Sequence, residues 1–432
     1  MSLLLKGGRI IDPPQGLDKV ADLLIEDGKI AKIGENLDQG RGGVAPPLDV
    51  TGKVVVPGLI DMHVHLREPG FEYKEDIATG TRAAAAGGFT AVACMPNTHP
   101  VTDCKSIVEA IRRRAEEVGL AKVYPIGAVT KELKGEEMAE IADMIEGGAV
   151  AFSDDAFPLE NSGLMRRVMD YASMFGVPLI LHCEDTSLSD EGLMNEGITA
   201  TILGLKGIPR ESEEIAIARN LMLARLTGCP VHIAHVSTRG SVEIIRRAKE
   251  AGVNVTCETC PQYFSLTDEA VKGYDTNAKV NPPLRTADDV AAIKEGLADG
   301  TIDVIATDHA PHAIEEKDCE FAVASSGMVG LETALGLVMT ELVKPGVLSL
   351  AAAVEKMTAA PAKVLRLESG SLQAGKAADI TVIDPEAAWT VDPSKLHSRS
   401  KNTPLGGRKL VGKAVVTIVD GRVVAENGEV IA

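Results

Sequence analysis

Two histidines with one residue between them, His63 and His65, follow the apolar run at 54–60. In an extended strand, residues two apart point to the same face, so both imidazoles can reach one metal ion at the carboxyl end of the strand. Arg67 follows two residues later, and its planar guanidinium could hold an anion beside the metal. Histidines can also fall in a strand without binding anything, so this pair needs partners elsewhere in the chain.

Later apolar runs also end in side chains that bind metals, namely Asp154 and Asp155, His182, His235, and Asp308. A buried cluster of such groups indicates a compensating cation, because an unpartnered polar group costs several kcal/mol to bury. Nitrogen and oxygen ligands without cysteine favour two divalent ions, zinc first, with manganese or cobalt as alternatives. Two ions about 3.5–4 Å apart can share a bridging carboxylate and a bridging hydroxide, which attacks as a nucleophile at neutral pH.

The elements that would position these side chains alternate between strands and helices. We predict eight strands, at 54–65, 90–97, 122–129, 149–155, 177–185, 230–237, 253–260 and 302–309. Helical patterns lie between them, at 105–118, 164–174, 213–227, 241–251 and 287–297. This α/β alternation predicts a parallel (β/α)8 TIM-type barrel, whose active site lies at the carboxyl ends of the strands.

The two ends of the chain differ from the middle, because they are rich in short alternating strands and turns. Asp27-Gly28 and Asp420-Gly421 are typical of β-hairpin turns. We therefore predict a small β-sandwich domain built from both termini, 1–53 and 366–432, beside a barrel domain at 54–365. A short glycine-containing surface loop is predicted at 39–43.

Composition restricts the partners. The formal net charge of −18 disfavours nucleic acid and anionic membranes, and no apolar run approaches the roughly 20 residues that span a bilayer. Residues 1–8 lack a basic region followed by a long apolar stretch, so no signal peptide is expected.

The seven cysteines, an odd number, are expected to be reduced thiols in a cytoplasmic protein. The pair Cys257 and Cys260 is interpreted as core and not as a zinc site.

Longer motifs resemble one enzyme family. The segments DMHVHLREPG at 61–70 and ATDHAPH at 306–312, followed by Lys317, resemble the two signature sequences of dihydroorotases. MPNT at 95–98, KVNPPLR at 279–285 and GKAAD at 375–379 are also similar to that family. The resemblance runs over nearly the whole length and identifies the chain as a member of the amidohydrolase superfamily, similar to class I dihydroorotases of the bacterial type.

The resemblance implies a ligand set: His63, His65 and Asp308 on a first zinc ion, and His182 and His235 on a second. Hydantoinases, allantoinases and some dihydroorotases bridge the ions with a carboxylated lysine, but the predicted fourth strand here has no lysine. In class I bacterial dihydroorotases an aspartate bridges the ions instead. The resemblance, with the spacing to the strand-five histidine, therefore implies Asp155 as the bridge together with a hydroxide, and Asp154 is the alternative. Ala156 stands where the family often has glycine.

The resemblance also implies substrate-binding residues: His65, Arg67, Asn97, Asn281, His312 and Gly327. Arg67, Asn97 and His312 would hold a carboxylate, and Asn281 would hydrogen-bond the ring amide. A surface salt bridge is the structural alternative for Arg67, and turn formation is the alternative for the two asparagines. The segment Ser325-Ser326 before Gly327 departs from the family, where a bulkier residue or proline is common. His232 and His309 are expected to point away from the metals.

The implied reaction is the reversible hydrolysis of the cyclic amide of dihydroorotate to N-carbamoyl-L-aspartate, a step of pyrimidine synthesis, by a metal-bound hydroxide. Asp308 would be the general acid/base. The alternatives are a different cyclic amidase, such as an allantoinase or dihydropyrimidinase, and a non-catalytic scaffold for aspartate carbamoyltransferase. The expected partners are a small-molecule substrate, further copies of the chain in a homo-oligomer, and an aspartate carbamoyltransferase complex.

Overall fold

The structure is a computed structural model that describes residues 2–37 and 47–431, so the loop predicted at 39–43 lies outside the described residues. The strands, in chain order, are β1 (Ser2–Asp12), β2 (Leu17–Glu26), β3 (Lys29–Gly34), β4 (Leu48–Asp49), β5 (Val54–Pro57), β6 (Leu59–Val64), β7 (Phe89–Cys94), β8 (Lys122–Gly127), β9 (Ala151–Phe152), β10 (Leu179–Leu181), β11 (Met194–Asn195), β12 (Gly207–Ile208), β13 (Val231–Ile233), β14 (Val255–Thr259), β15 (Val304–Ile305), β16 (Ile380–Thr390), β17 (Lys409–Val419), β18 (Arg422–Glu426) and β19 (Glu429–Val430).

The helices, in chain order, are α1 (Ile77–Gly87), α2 (Lys105–Val118), α3 (Ile141–Gly147), α4 (Ser162–Phe175), α5 (Thr186–Ser189), α6 (Ile198–Leu203), α7 (Glu211–Thr227), α8 (Arg239–Glu250), α9 (Pro261–Ser265), α10 (Ala287–Ala298), α11 (Ile314–Lys317), α12 (Ala334–Val338), α13 (Leu350–Met357) and α14 (Ala359–Val364). None of these helices is both long enough and apolar enough to cross a bilayer.

An eight-stranded parallel sheet forms the middle of the chain, in the order β6-β7-β8-β9-β10-β13-β14-β15. Its first and last strands meet just past β15, because Val64 pairs with His309 in a parallel bridge. The backbone N–H of His65 also donates to the carbonyl of His309 at 2.8 Å. The sheet therefore curls into a nearly closed barrel, and the predicted TIM-type barrel is confirmed.

The prediction of one strand at 54–65 is wrong, because the structure divides this run into β5 and β6. Strand β5 pairs with β1 and β16 at the ends of the chain, whereas β6 begins the barrel. Gly58 lies between them, and a Cβ atom there would come within 2.0 Å of Oγ1 of Thr90. Both halves are apolar and buried, so the hydrophobic pattern contains no signal for the division.

The helices around the barrel follow the apolar spacing of the sequence. In α2, Val108, Ile111 and Ala115 are buried on one face, and the helix spans the predicted range of 105–118. It ends at Gly119, whose left-handed conformation (φ 64°) stops the helix before β8. Inside the barrel, small and apolar residues such as Met62, Ala93, Ile180 and Val304 fill the interior, so polar side chains collect at its mouth.

Both ends of the chain meet in one nine-stranded sheet, made of β1–β5 and β16–β19. The turns predicted at Asp27-Gly28 and Asp420-Gly421 connect the antiparallel pairs β2–β3 and β17–β18. Leu23, Ile25 and Ile380 belong to a buried apolar cluster that draws on strands from both termini. The amino-terminal and carboxyl-terminal segments therefore stabilise each other.

Candidate active site

Six side chains come together at the carboxyl-terminal mouth of the barrel: His63, His65, Asp155, His182, His235 and Asp308. Each lies at the end of a barrel strand or just beyond it, and all six are buried. Two overlapping groups, His63–His65–Asp155 and Asp155–His182–His235, each bring their ligand atoms within 4.8 Å of one another. The parallel topology explains the convergence, since strands far apart in the chain end at the same rim.

Asp155 lies at the centre of this cluster and faces both histidine pairs. Its Oδ1 atom is 3.5 Å from Nε2 of His63, 3.5 Å from Nε2 of His235 and 3.8 Å from Nδ1 of His182. Its Oδ2 atom is 3.5 Å from Nε2 of His65. One carboxylate is thus shared between the two groups, which is the arrangement that a bridging ligand requires.

Asp308 completes the half of the cluster that contains His63 and His65. Its Oδ1 atom lies 3.2 Å from Nε2 of His65 and 3.6 Å from Nε2 of His63. In the other half, Nδ1 of His182 lies 2.9 Å from Nε2 of His235. Two ligand-rich positions therefore adjoin Asp155, one on each side.

The backbone at the rim adopts a conformation that non-glycine residues rarely take. Arg67 (φ 62°), Ala156 (φ 66°), His235 (φ 35°) and Asp308 (φ 49°) all lie in the left-handed region. Such conformations cost energy and concentrate where the surrounding structure imposes them at functional sites. The left-handed backbone at Ala156 also explains why glycine would be favoured there, since glycine adopts this conformation without strain.

The donor set fits divalent cations. Among the described residues, Nε2 of His63 and Oδ1 of Asp155 are buried without a hydrogen-bond partner. Burial opposes ionisation of Asp155, but the neighbouring His63, His235 and His65 outweigh it and hold the pKa of this carboxyl well below its usual value. Buried imidazole lone pairs beside an ionised carboxylate are the ligands that a divalent cation prefers.

Asp154 does not join the cluster, although it is adjacent to Asp155. Its Oδ1 atom accepts from the backbone N–H groups of Val129 at 2.7 Å and Thr130 at 3.0 Å. The hydroxyl of Thr130 donates to the other oxygen. Asp154 therefore supports the turn after β8, and burial raises the pKa of its carboxyl to about 6.

A second layer of oxygen atoms orients the histidines. Nδ1 of His63 lies 2.6 Å from Oε1 of Glu258, and Nδ1 of His65 lies 2.9 Å from Oδ1 of Asn97. Nε2 of His182 lies 3.0 Å from Oε2 of Glu184. Neither glutamate is among the residues predicted from the sequence. The available signal was a carboxylate at the end of a predicted barrel strand, which Glu258 and Glu184 share with the predicted ligands.

The predicted substrate residues are grouped beside the cluster. The buried Arg67 donates from Nε to the carbonyl of Pro311 at 3.2 Å, and its Nη2 lies 3.4 Å from Nε2 of His312. Asn281 donates from Nδ2 to Oε2 of Glu184 at 2.9 Å, so it reaches the side of His182. Asn97 reaches the opposite side through His65. The predicted anion-binding and amide-binding groups therefore lie on two sides of the cluster.

Gly327 lies behind this group and packs against His312. Its φ is +140°, and a Cβ atom there would come within 2.8 Å of Ala310 Cβ and 3.0 Å of His312 Nε2. Its N–H donates to the carbonyl of Lys279 at 2.8 Å, and its carbonyl accepts from Lys317. The role of Gly327 in binding substrate stays a prediction, while its contacts support the position of His312.

His232 and His309 lie outside the cluster. Nε2 of His309 lies 3.4 Å from Oε2 of Glu75, and Nδ1 of His309 accepts from the N–H of Gly330 at 3.1 Å. His232 contacts Thr256 and Glu258. Both rings lie within the protein and face other side chains.

A cavity of about 1160 Å³ opens at the other end of the barrel. Pro178, Pro230 and Asn254 line it, just before β10, β13 and β14 begin. None of the six cluster residues borders it. The chemistry of the side chains, and not the size of a cavity, therefore locates the candidate active site.

Two solved structures with the same architecture are hydantoinases. The chain superposes on an L-hydantoinase (dihydropyrimidinase) from Arthrobacter aurescens with a TM-score of 0.90 and 29% identity, covering 100% of this chain and 97% of that one. A D-hydantoinase (dihydropyrimidinase) from a Thermus species gives a TM-score of 0.86 at 25% identity, covering 100% and 96%. The fold and the cluster at its mouth define a TIM-type barrel of the amidohydrolase class.

Sequence relatives specify the family. A family model described as Dihydro-orotase-like matches residues 52–241. The chain is 57% identical over 424 residues to a dihydroorotase of Geotalea daltonii, covering 98% of this chain and 99% of that protein. It is 58% identical over 427 residues to a dihydroorotase of Pelotomaculum thermopropionicum, covering 99% of each. The chain belongs to the dihydroorotase family.

Proposed function

We propose that this protein catalyses the reversible hydrolysis of dihydroorotate to N-carbamoyl-L-aspartate in pyrimidine biosynthesis, as a class I, bacterial-type member of its family. The observation that carries the proposal is the buried cluster in which Asp155 faces two histidine pairs beside Arg67. Full-length relatives at 57–58% identity that are named dihydroorotase support the substrate.

We propose two zinc ions per chain at this cluster. His63, His65 and Asp308 would hold the first ion, His182 and His235 the second, and Asp155 would contact both. Divalent cations supply a Lewis acid for the amide carbonyl and lower the pKa of a water molecule toward neutrality. The six nitrogen and oxygen ligands suit zinc, and the absence of cysteine among them leaves manganese and cobalt as alternatives.

The chain's own residues orient the substrate. Arg67 carries a planar guanidinium that can hold the ring carboxylate in two parallel hydrogen bonds. Asn97 accepts from His65 through Oδ1, so its Nδ2 group can donate to the same carboxylate. Asn281 can hydrogen-bond the ring amide from the opposite side. Together these residues would present the scissile amide to the cluster in one orientation.

Asp308 is the group that moves a proton in this proposal. It would take a proton from the attacking water and deliver it to the ring nitrogen as the amide bond breaks. In the synthetic direction the same carboxyl would take a proton from the attacking carbamoyl nitrogen and deliver it to the hydroxyl that leaves as water. Its position next to His65 and His63 places it at the first of the two ligand-rich positions.

A hydantoinase or dihydropyrimidinase is the second candidate, because the solved relatives at 29% and 25% identity are hydantoinases. Two features favour dihydroorotate instead. The segment at 151–155 that ends in Asp155 contains no lysine that could be carboxylated. In addition, the buried cation of Arg67 suits a ring that carries a carboxylate, which hydantoin and allantoin lack.

Turnover by the metal-loaded protein distinguishes these functions. The rate of dihydroorotate hydrolysis can be measured from the loss of its ultraviolet absorbance. We expect this rate to exceed the rates for hydantoin and allantoin at equal concentration by at least about 10²-fold. Chelator-treated protein should be inactive and should regain activity when zinc is returned. Turnover of hydantoin or allantoin without turnover of dihydroorotate would reject the substrate, and metal-independent turnover would reject the metal centre.

We also propose the organisation of the whole chain. The terminal segments would form a β-sandwich beside the barrel, with the division shifted from residue 53 to follow β5, since β5 pairs in the nine-stranded sheet. A cytoplasmic location, a homo-oligomer and an assembly with aspartate carbamoyltransferase remain predictions. Light scattering of the protein alone and with that enzyme tests the last two, and a monomer under both conditions would reject them.

A further inference from the structure

Glu258 is a fully buried carboxylate that contacts two histidines. It lies near the end of β14, with no exposed surface. Its Oε1 atom is 2.6 Å from Nδ1 of His63, and its Oε2 atom is 3.3 Å from Nε2 of His232. Burial of an ionised carboxylate costs several kcal/mol unless partners compensate it. His63 therefore hydrogen-bonds this carboxylate, and His232 lies close to its other oxygen without forming a hydrogen bond.

His232 is fixed in turn by a hydroxyl on the neighbouring strand. Its Nδ1 atom lies 2.8 Å from Oγ1 of Thr256, and the two residues are directly paired between β13 and β14. Thr256 and Glu258 are two residues apart on β14, so their side chains share one face of the strand. A chain of contacts thus runs from Thr256 through His232 and Glu258 to His63.

This chain of contacts determines which nitrogen of His63 can bind a metal. A neutral imidazole has one N–H group and one lone pair. With the N–H at Nδ1 donating to Glu258, the lone pair stays on Nε2, which lies 3.5 Å from Asp155 and 3.6 Å from Asp308. His65 has the same orientation but donates to the neutral amide of Asn97. His63 alone of this pair has a carboxylate behind it.

We propose that Glu258, with His232 close to its second oxygen, is a positioning residue that fixes the tautomer of His63 and strengthens it as a metal ligand. This inference rests on the proposed metal centre. A carboxylate that accepts from a ligating histidine raises the basicity of the ring and locks its orientation. The hydrogen bond from His63 to the carboxylate of Glu258 should be stronger than the one from His65 to the amide of Asn97, because a hydrogen bond to a charged group is about twice as strong. His63 is thus the anchoring ligand of the first ion.

The test compares the metal affinity of the full-length protein with that of the Glu258→Gln variant. Glutamine keeps the size of the side chain and removes its charge. We expect zinc to bind the first site about 10–100-fold more weakly, as measured by competition with a chromophoric chelator. The ligand-field spectrum of the cobalt-loaded protein should also shift, and His232→Asn should change affinity and spectrum in the same direction by a smaller factor.

Glu332→Gln is the matched control. Glu332 also pairs with a histidine, since its Oε2 atom lies 3.0 Å from Nδ1 of His397, but neither residue belongs to the cluster. This variant should keep the parent's metal affinity and cobalt spectrum. A melting curve of each chelator-treated protein reports any purely structural effect separately.

The outcomes separate this inference from the proposed function. If the parent protein binds no zinc or cobalt at stoichiometric amounts, the proposed metal centre fails. If the parent binds metal and Glu258→Gln binds it with the same affinity and the same cobalt spectrum, the positioning role is overturned. A lower melting temperature of the metal-free variant with unchanged metal affinity also overturns it, because Glu258 would then serve only the stability of the barrel.

Discussion

Nε2 of His65 lies 3.2 Å from Oδ1 of Asp308, although 243 residues separate them in the chain. The contact exists because the first and last barrel strands meet, and the backbone N–H of His65 donates to the carbonyl of His309 at 2.8 Å. Closure of the barrel therefore places Asp308, which we propose transfers the proton, next to His65, which we propose binds a metal.

Replacement of Asp308 by asparagine should reduce kcat far more than it weakens the binding of dihydroorotate. Asparagine keeps the shape of the side chain but cannot accept and return a proton, so kcat should fall by about 10²–10⁴-fold. The dissociation constant of dihydroorotate, measured by calorimetry, should change only a few-fold. Metal content has to be measured in the same preparation, because Asp308 is also a proposed ligand. A metal-replete variant with near-parental kcat would contradict the proton-transfer role.

Replacement of Arg67 by alanine should weaken the binding of dihydroorotate. Loss of a charge-assisted hydrogen-bond pair costs about 1.5–3 kcal/mol, which corresponds to a rise in KM of roughly 10–150-fold. Arg67→Lys keeps the charge without the planar fork and should lie between the parent and the alanine variant. Dihydrouracil, the same ring without the carboxylate, is the control substrate. An unchanged KM for dihydroorotate in Arg67→Ala would reject the carboxylate contact.

Adjacent aspartates provide a test of the bridging ligand. Asp155→Asn should lose metal, because the shared carboxylate contacts both histidine pairs. Asp154→Asn should keep the parent's metal content, because Asp154 accepts hydrogen bonds from Val129 and Thr130 instead. Elemental analysis of the purified proteins measures metal per chain. Full metal content in Asp155→Asn together with loss in Asp154→Asn would exchange their roles.

The predictable part of the site follows from topology and strand alternation. His63 and His65 are two apart on one strand, and polar residues that end parallel strands must meet at one rim. Strand alternation does not predict the directions of the His235 and Asp308 side chains, because the left-handed backbone at both residues redirects them. The apolar run that precedes each residue indicates its place at the rim, and the final direction depends on contacts across the barrel.

The contacts behind the ligands were not predictable from the sequence. Glu258 reaches His63 across 195 residues, and only the closed barrel brings β14 and β6 within reach of each other. His232 lies outside the cluster as expected. Glu258 is a carboxylate near the end of a predicted barrel strand, but that signal does not indicate that it would contact His63 and His232. The division between β5 and β6 is hidden for a related reason: both strands are fully buried, and β5 pairs with β1 and β16 at the two ends of the chain, whereas β6 pairs with β7.

His312 should make the stability of the protein depend on pH. Burial, followed by the charges of Arg67, Lys74 and Lys317, lowers the pKa of this imidazole to about 2. Below the ordinary value of 6.5, the unfolded chain binds a proton that the folded protein does not. The free energy of unfolding therefore falls as pH drops from about 6.5 toward 2, by up to about 1.4 kcal/mol per pH unit.

Denaturant unfolding of chelator-treated His312→Asn and parent protein at pH 7.5 and pH 5 measures this effect. The variant lacks the titrating group, so its deficit in stability relative to the parent should shrink at pH 5 by about 1–2 kcal/mol. His397→Asn should behave in the opposite way. The hydrogen bond with Glu332 raises the pKa of His397, so the stabilisation from that pair is present at low pH and is lost as pH rises through the folded pKa. Equal deficits at both pH values for His312→Asn would contradict a neutral, buried imidazole beside Arg67.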